Sequence, residues 1–331
     1  MSSPPDVTPA TISLRHLHTV GSSRLFLHAT RIDHYHAGDV AAFRRVAARF
    51  RPEDHLLWMT FWHADRAYFD HAATLFRDLP VPLPQIWVLG NTEAETEAAR
   101  AAGFSAAWVN HNAWLDEHLL QPRDLPRAHR ALMVAQRAPY KRIHLAAHVP
   151  GLALAPSSLF PRHEATPLDG FADLTVIDTL PDGGIADLIA TAGCGLILSE
   201  EEGACYASSE YLLCGRPVVS TPSRGGRDVF YDATNACIVD PDPDAVARGV
   251  EQILTRTIDP WSLHRTHAAR NHIFRARFAR DVIAPILTAT GSSDHPLPLA
   301  ASLFRPKMIT FLEEPAAHDL LQRLNTQKLH S

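Results

Sequence analysis

Acids, cysteines and glycines crowd one stretch of the chain, residues 199–226, which reads SEEEGACYASSEYLLCGRPVVSTPSRGG. Glu200, Glu201 and Glu202 run into Gly203, and Glu210 follows eight residues after Glu202. A carboxylate accepts paired hydroxyls or faces a cation. A glycine lets backbone come close to a ligand. The same three acids also suit the positive end of a helix dipole, and spacing alone leaves both readings open. The flanks say where these residues stand. Residues 194–198 (CGLIL) form a short apolar run of the buried parallel-strand kind. Residues 204–214 have helical spacing, Gly215 ends that helix, and Pro217 opens the next strand. Glu202 is therefore expected at the mouth of a sheet, with Glu210 about two turns along the next helix. Open α/β sheets bind ligands at the carboxyl ends of their strands.

The bulk numbers narrow the choices. The chain has 331 residues, room for two domains, with 46% apolar and 20% charged residues and a net charge of −5. No basic excess points to nucleic acid. No run approaches the roughly 18 apolar residues of a membrane-spanning helix. The first twenty residues lack the apolar core of a signal peptide, so a cytoplasmic location is expected. Cys194, Cys205, Cys214 and Cys237 match no zinc spacing and read as buried thiols. The twenty histidines are scattered. Pairs such as His16 with His18 and His34 with His36 lack a third ligand, so no metal site is expected.

Strand and helix patterns alternate along the chain. Strands are expected over 24–31, 55–63, 85–90 and 106–110, with helices over 40–51, 67–76 and 92–102. A charged, proline-bearing linker follows at 123–130. A second series has strands at 131–136, 174–177, 194–198 and 237–239, with helices at 144–149, 185–192, 204–214 and 243–255. Such alternation implies α/β architecture with two doubly wound parallel sheets. The expected division is a disordered N-terminus at 1–11, a small first domain at 12–122, a second domain at 131–287, and an extension at 288–331 carrying a linker at 290–298 and a final helix at 316–324. Residues 260–287 carry Arg265, Arg270, Arg275, Arg277 and Arg280. A solvated basic face is the default reading of that run, and contact with an acidic acceptor or a membrane surface the sharper one.

Several ordered segments resemble the retaining, nucleotide-sugar-dependent glycosyltransferases of the GT-B fold (group 1). Residues 109–122 (VNHNAWLDEHLLQP) resemble the segment that closes the family's first domain, with Ala113 in place of a glycine. Val134-Ala135-Gln136-Arg137 with Lys141 resembles its strand and phosphate loop, with Gln136 in place of glycine and Arg142 where glycine is frequent. Glu202-Gly203 with Glu210 reproduces its E-x7-E spacing. Residues 215–219 (GRPVV), the pair Gly225-Gly226, and 235–241 (NACIVDP) resemble three further motifs. Together they cover roughly residues 108–255. Each is weak alone; their order is what carries the resemblance.

The resemblance implies two Rossmann-like GT-B domains with a cleft between them, the first binding acceptor and the second the donor. It implies that Arg137 and Lys141 hold the diphosphate, Glu210 the ribose hydroxyls, and Glu202 the donor sugar. Gly203, Ala204, Gly225 and Gly226 would lie along phosphate or sugar oxygens, and Glu200 and Glu201 would stand by. A first-domain histidine is implied as well, with His63 and His111 as candidates and Asn112 beside the latter. No Asp-x-Asp pair stands at a strand end, since Asp240-Pro241-Asp242 falls in a late loop. Metal-independent chemistry is therefore expected, with the two cations in place of a divalent ion. The implied reaction moves a sugar from a UDP- or GDP-linked donor to a glycan or lipid-linked acceptor, with retention, as in polysaccharide synthesis. Peripheral contact with the inner membrane face through 260–287 is a further expectation. The rival readings are an epimerase or phosphorylase of the same fold, and a non-catalytic sugar-nucleotide-binding protein.

Overall fold

The computed structural model describes residues 11–29, 37–60, 65–156, 166–303 and 311–326. The chain forms two compact units, residues 1–111 with 274–331, and residues 112–273. This differs from the expected limits at 122, 131 and 287, because the chain returns to the first unit at Phe274.

In the first unit, β1 (Thr11–Ser13) and β2 (Arg15–Val20) lead into β3 (Ser23–Ala29). Then come α1 (Ala37–Ala47), β4 (His55–Met59), α2 (Arg66–Phe76), β5 (Ile86–Gly90), α3 (Glu93–Ala101) and β6 (Ser105–Trp108). β3 to β6 pair in parallel in chain order, and β2 is an antiparallel edge. β3 and β4 are buried along their whole length, as strands covered on both faces must be. On one face Phe26, Trp58, Ile86 and Val88 pack against Phe43, Phe69, Phe76 and Ala99 of the three helices. Asp65 caps α2 by accepting from Tyr68 N at 2.9 Å, and Thr92 caps α3 by accepting from Glu95 N at 3.1 Å.

The second unit contains β7 (His129–Ala135), β8 (Leu152–Pro156), β9 (Leu174–Val176), α4 (Gly184–Ala190) and β10 (Ala192–Ile197). α5 (Tyr206–Leu213), β11 (Val218–Ser220), β12 (Ala236–Ile238) and α6 (Pro243–Leu254) complete it. All six strands are parallel, in the order β12-β11-β10-β7-β8-β9. The order reverses between β7 and β10, which makes their carboxyl ends the topological switch point. The expected helix over 144–149 is instead two short 3₁₀ turns, Pro139–Lys141 and Ile143–Ala146, separated by the left-handed Arg142.

α7 (Pro260–Phe278) starts in the second unit and ends in the first, followed by a π turn at Ala279–Ile283, α8 (Ala284–Thr290) and α9 (Pro296–Leu303). α9 begins inside the stretch expected as a linker. β13 (Phe311–Glu313) pairs antiparallel with β1, so residue 11, expected in the disordered N-terminus, lies in a strand. α10 (Glu314–Thr326) then buries Ala317 and Leu321 in the first unit's core. α10 covers the final helix expected at 316–324. No helix among the described residues is long and apolar enough to cross a membrane.

Candidate functional site

Gly195 on β10 leaves room for the Tyr211 ring, since a Cβ there would lie 2.0 Å from it, and Val134 N on β7 donates to Tyr211 Oη at 2.8 Å. This ties α5 to β10 and β7, the two strands of the switch point. Beyond β10 the chain runs through Ser199 into the acidic loop. Beyond β7 it turns through Arg137 to Arg142.

Across the two strand ends, Lys141 Nζ donates to Glu202 Oε1, with side-chain exposures of 14% and 8%. Glu202 Oε2 accepts from Ser199 Oγ at 2.5 Å. Burial by itself would lower the Lys141 pKa, but the Glu202 carboxylate overrides it and raises the value. Burial would raise Glu202, but the Lys141 charge and the bonds from Lys141 and Ser199 bring it below the usual carboxylate value. Both directions favour the charged forms, so the pair is ionised at neutral pH. An ion pair this enclosed, at a strand end, can exchange partners with a charged ligand that brings its own anion.

The glycines build the loop that carries Glu202. Glu202 N donates to Arg224 O at 3.0 Å, Arg224 N to Glu200 O at 3.0 Å, and Gly226 N to Gly203 O at 2.8 Å. Gly225 has φ +111°, and a Cβ there would stand 1.8 Å from Glu202 O. A side chain at 225 is excluded on both counts. Glu201 pairs with Arg224, while Glu200 is exposed. Ala204 is half-buried just ahead of α5, and Glu210 is buried within α5.

Other predicted residues stand apart from this pair. Arg137 turns its Nε to Thr166 O at 3.0 Å, with Nη2 on the same oxygen, and its own carbonyl accepts from Thr166 N at 2.9 Å. Its guanidinium is thus held beside the loop rather than on Glu202. His111 belongs to the first unit and is buried. Its Nε2 meets Leu89 O at 2.6 Å, and burial pushes its pKa down to about 4. Both facts describe a neutral imidazole that donates to a strand-end carbonyl. Asn112 is buried as well. His63 lies outside the described residues. Asp242 caps α6 by accepting from Ala245 N at 3.0 Å, which accounts for the late-loop aspartate. Among the described residues, no three His, Cys, Asp or Glu side chains gather as a metal site would require.

Three residues near the pair carried no role in the sequence reading. Ser199 orients Glu202. Arg227 is fully buried and donates to Ser199 O at 2.8 Å. Arg142 occupies the left-handed region at φ 48°, where glycine is favoured. Its Nε donates to Leu198 O at 2.7 Å and its Nη2 to Thr221 Oγ1 at 2.8 Å. Those two bonds offset the roughly 1–2 kcal/mol that a left-handed residue costs. The signal for Arg142 was its place at a glycine position. For Arg227 it was a charged Arg-Asp pair directly after Gly225-Gly226.

The arginines of α7 and of the π turn after it have partners within the chain, several of them at the surface. Arg265 pairs with Asp259, Arg270 with Asp232 and Phe230 O, and Arg280 with Asp281. Arg277 lies 4.6 Å over the Trp108 ring.

Residues 158–256 match the sequence model of the family described as Glycosyl transferases group 1, which agrees with the resemblance drawn from the motifs. No curated protein sequence matches the chain. Among solved structures, sucrose-phosphate synthase from Thermosynechococcus elongatus is similar at TM-score 0.52 and 15% identity, over 81% of this chain and 72% of that one. An α,α-trehalose-phosphate synthase (UDP-forming) from Burkholderia xenovorans, solved with glucose-6-phosphate, is similar at 0.51 and 14%, over 73% and 71%. The N-terminal domain of trehalose-6-phosphate phosphatase from Candida albicans is similar at 0.50 and 11%, over 72% and 65%. These likenesses show the fold, two Rossmann-like units of the GT-B kind.

Proposed function

We propose that the protein is a glycosyltransferase that moves a sugar, with retention, from a nucleotide diphosphate donor to a glycan or lipid-linked acceptor. The observation that carries this reading is the enclosed Lys141–Glu202 pair at the switch point of the second unit. Support comes from the family match over 158–256 and from two structural neighbours that are named as synthases of phosphorylated disaccharides.

In this reading the leaving diphosphate develops negative charge, and cations fixed beside it lower the barrier. Lys141 meets it as a point charge. Arg137 swings from Thr166 O to meet it with a planar fork. Glu210 accepts the two ribose hydroxyls. Glu202 lies beside the donor sugar, where its charge favours an oxocarbenium-like centre. Gly203, Ala204, Gly225 and Gly226 let backbone approach phosphate or sugar oxygens. The leaving phosphate takes the acceptor's proton, so no protein nucleophile is needed and positioning does much of the catalysis. The reaction needs no divalent ion, and the protein works in the cytoplasm. Peripheral contact with an anionic membrane through residues 260–287 is a separate proposal, checked by co-sedimentation with anionic vesicles.

The test is thermal stabilisation and calorimetry with UDP and GDP, followed by turnover of a panel of nucleotide sugars. Binding of one nucleotide diphosphate is expected, weakened by Lys141→Ala and Arg137→Ala, with turnover lost in Glu202→Gln. If no nucleotide shifts the melting temperature, the donor reading fails. If all three variants turn over normally, the assignment of residues fails.

A further inference from the structure

Arg227 is fully buried beside Glu202's loop without touching the Lys141–Glu202 pair. Its Nη1 donates to Ser199 O at 2.8 Å and to Ser199 Oγ at 3.0 Å. Its Nη2 donates to Thr221 O, and its Nε to Asp228 Oδ1 at 2.6 Å. A guanidinium has donors and no acceptor. The Ser199 oxygen must therefore accept from Arg227, and the single hydroxyl proton is turned away from it. That proton is left for Glu202 Oε2, which lies 2.5 Å from Ser199 Oγ. The other carboxylate oxygen, Oε1, takes Lys141. Glu202 is thus gripped by Lys141 and Ser199 from different strand ends, with the Cys205 thiol as a further donor.

We infer that Arg227 is a positioning residue that, by fixing the direction of the Ser199 hydroxyl, orients the Glu202 carboxylate independently of Lys141. The inference rests on the transferase reading for its consequence, but its geometry is local to residues 197–228. A carboxylate held by Lys141 alone would follow the ammonium once a diphosphate drew it away. With Ser199 as second donor, Glu202 keeps its place while Lys141 changes partner. The Asp228 carboxylate on Arg227 balances the buried guanidinium, so Arg227 acts by aiming a hydroxyl rather than by its charge.

A purely structural role would also follow from the same side chain, because Arg227 ties the ends of β10 and β11 through Ser199 O and Thr221 O. The experiment separates the two. Glutamate-selective carboxyl labelling gives the Glu202 titration by NMR, assigned with Glu202→Gln, in the wild type, Ser199→Ala, Ser199→Thr and Arg227→Lys. The Glu202 midpoint is expected to move up in Ser199→Ala and Arg227→Lys and to return in Ser199→Thr. Turnover of the nucleotide sugar found in the panel should fall about tenfold or more in Ser199→Ala, while the Kd for the nucleotide diphosphate changes less than about threefold. An unmoved Glu202 midpoint in folded Ser199→Ala overturns the inference. So does a drop in melting temperature with no change specific to Glu202. A protein that binds no nucleotide while the midpoint still moves would overturn the transferase reading and leave the relay standing.

Discussion

The two units share a plan of parallel strands joined by helices, yet the mouths of their sheets are built from different chemistry. In the second unit the strand order reverses, and the ends of β7 and β10 carry a buried lysine and glutamate with Arg142 and Arg227 beside them. In the first unit β3 to β6 run in chain order without reversal. Its strand ends carry hydroxyl, amide and backbone groups gathered on one buried carboxylate, Glu95. Thr60 Oγ1 donates to Glu95 Oε1, Asn91 N to Glu95 Oε2 at 2.6 Å, and Asn91 Nδ2 to Thr60 O at 3.1 Å. His111 N donates to Asn91 Oδ1 at 3.0 Å, and Trp108 Nε1 to Asn91 O at 2.9 Å. The first network holds its own strand ends together. The second pairs its charges across two strand ends, Lys141 with Glu202. The same backbone plan thus carries different side-chain chemistry after its strands in the two units.

The comparison is most sharply broken at Lys141. Lys141→Ala strands the Glu202 carboxylate in a buried place, and a loss of about 3–5 kcal/mol in unfolding free energy is expected by urea titration. Lys141→Ala combined with Glu202→Gln should recover much of it, since the buried charge is then gone. Equal losses in the single and double variants would mean that the pair is not coupled.

Acid should act on the first unit through His111. Its folded pKa of about 4 lies below the ordinary 6.5 because the ring is buried. Between those values the unfolded chain binds the proton and the folded one does not, so stability falls as pH drops from about 6.5 to about 4. For one such histidine this amounts to about 3 kcal/mol. His28 and His267, also lowered by burial, to about 4 and about 3, act in the same direction. His111→Gln should flatten the slope of melting temperature against pH in that window. Glu202→Gln should leave the upper part of that window alone and act only at its acid end: Glu202 is depressed, so its contribution is present above the ordinary carboxylate value of 4.5 and is lost as pH falls through and below it. An unchanged slope in His111→Gln would remove the histidine from the account.

Glu95→Gln probes the first unit's network. The amide can serve both partners only with its oxygen on Asn91 N and the Thr60 hydroxyl turned to accept, so two bonds to a charged acceptor become neutral ones. A cost of about 1–3 kcal/mol is expected, read by urea titration, with nucleotide affinity unchanged. A change in affinity would instead tie the first unit to the donor. The smallest effect belongs to Arg224→Ala. Its pair with Glu201 is largely exposed on the arginine side, and less than about 1 kcal/mol is expected. A larger loss would show that Arg224 does more than lie over the acidic loop.

Much of this was legible from the residues. The apolar runs that became β4, β5, β7 and β10, and the caps and glycines that bound α3, α5 and α6, fix strand and helix by patterns spanning a few residues. Motif spacing singled out Lys141 and Glu202 without knowledge of contacts, and the fold brings these two together. Glycine at 225 was legible as a turn, but the approach of its backbone to Glu202 O was not. What the sequence by itself determined was the alternation of elements, the α/β class and the pool of charged residues at strand ends. The tertiary structure alone decided that Lys141 rather than Arg137 faces Glu202, that Arg227 turns the Ser199 hydroxyl, and that β13 and α10 return to the first unit. Those outcomes depend on contacts between residues tens to hundreds of positions apart. Local propensity carries no information about them, and only the packed chain selects which buried donor finds which acceptor.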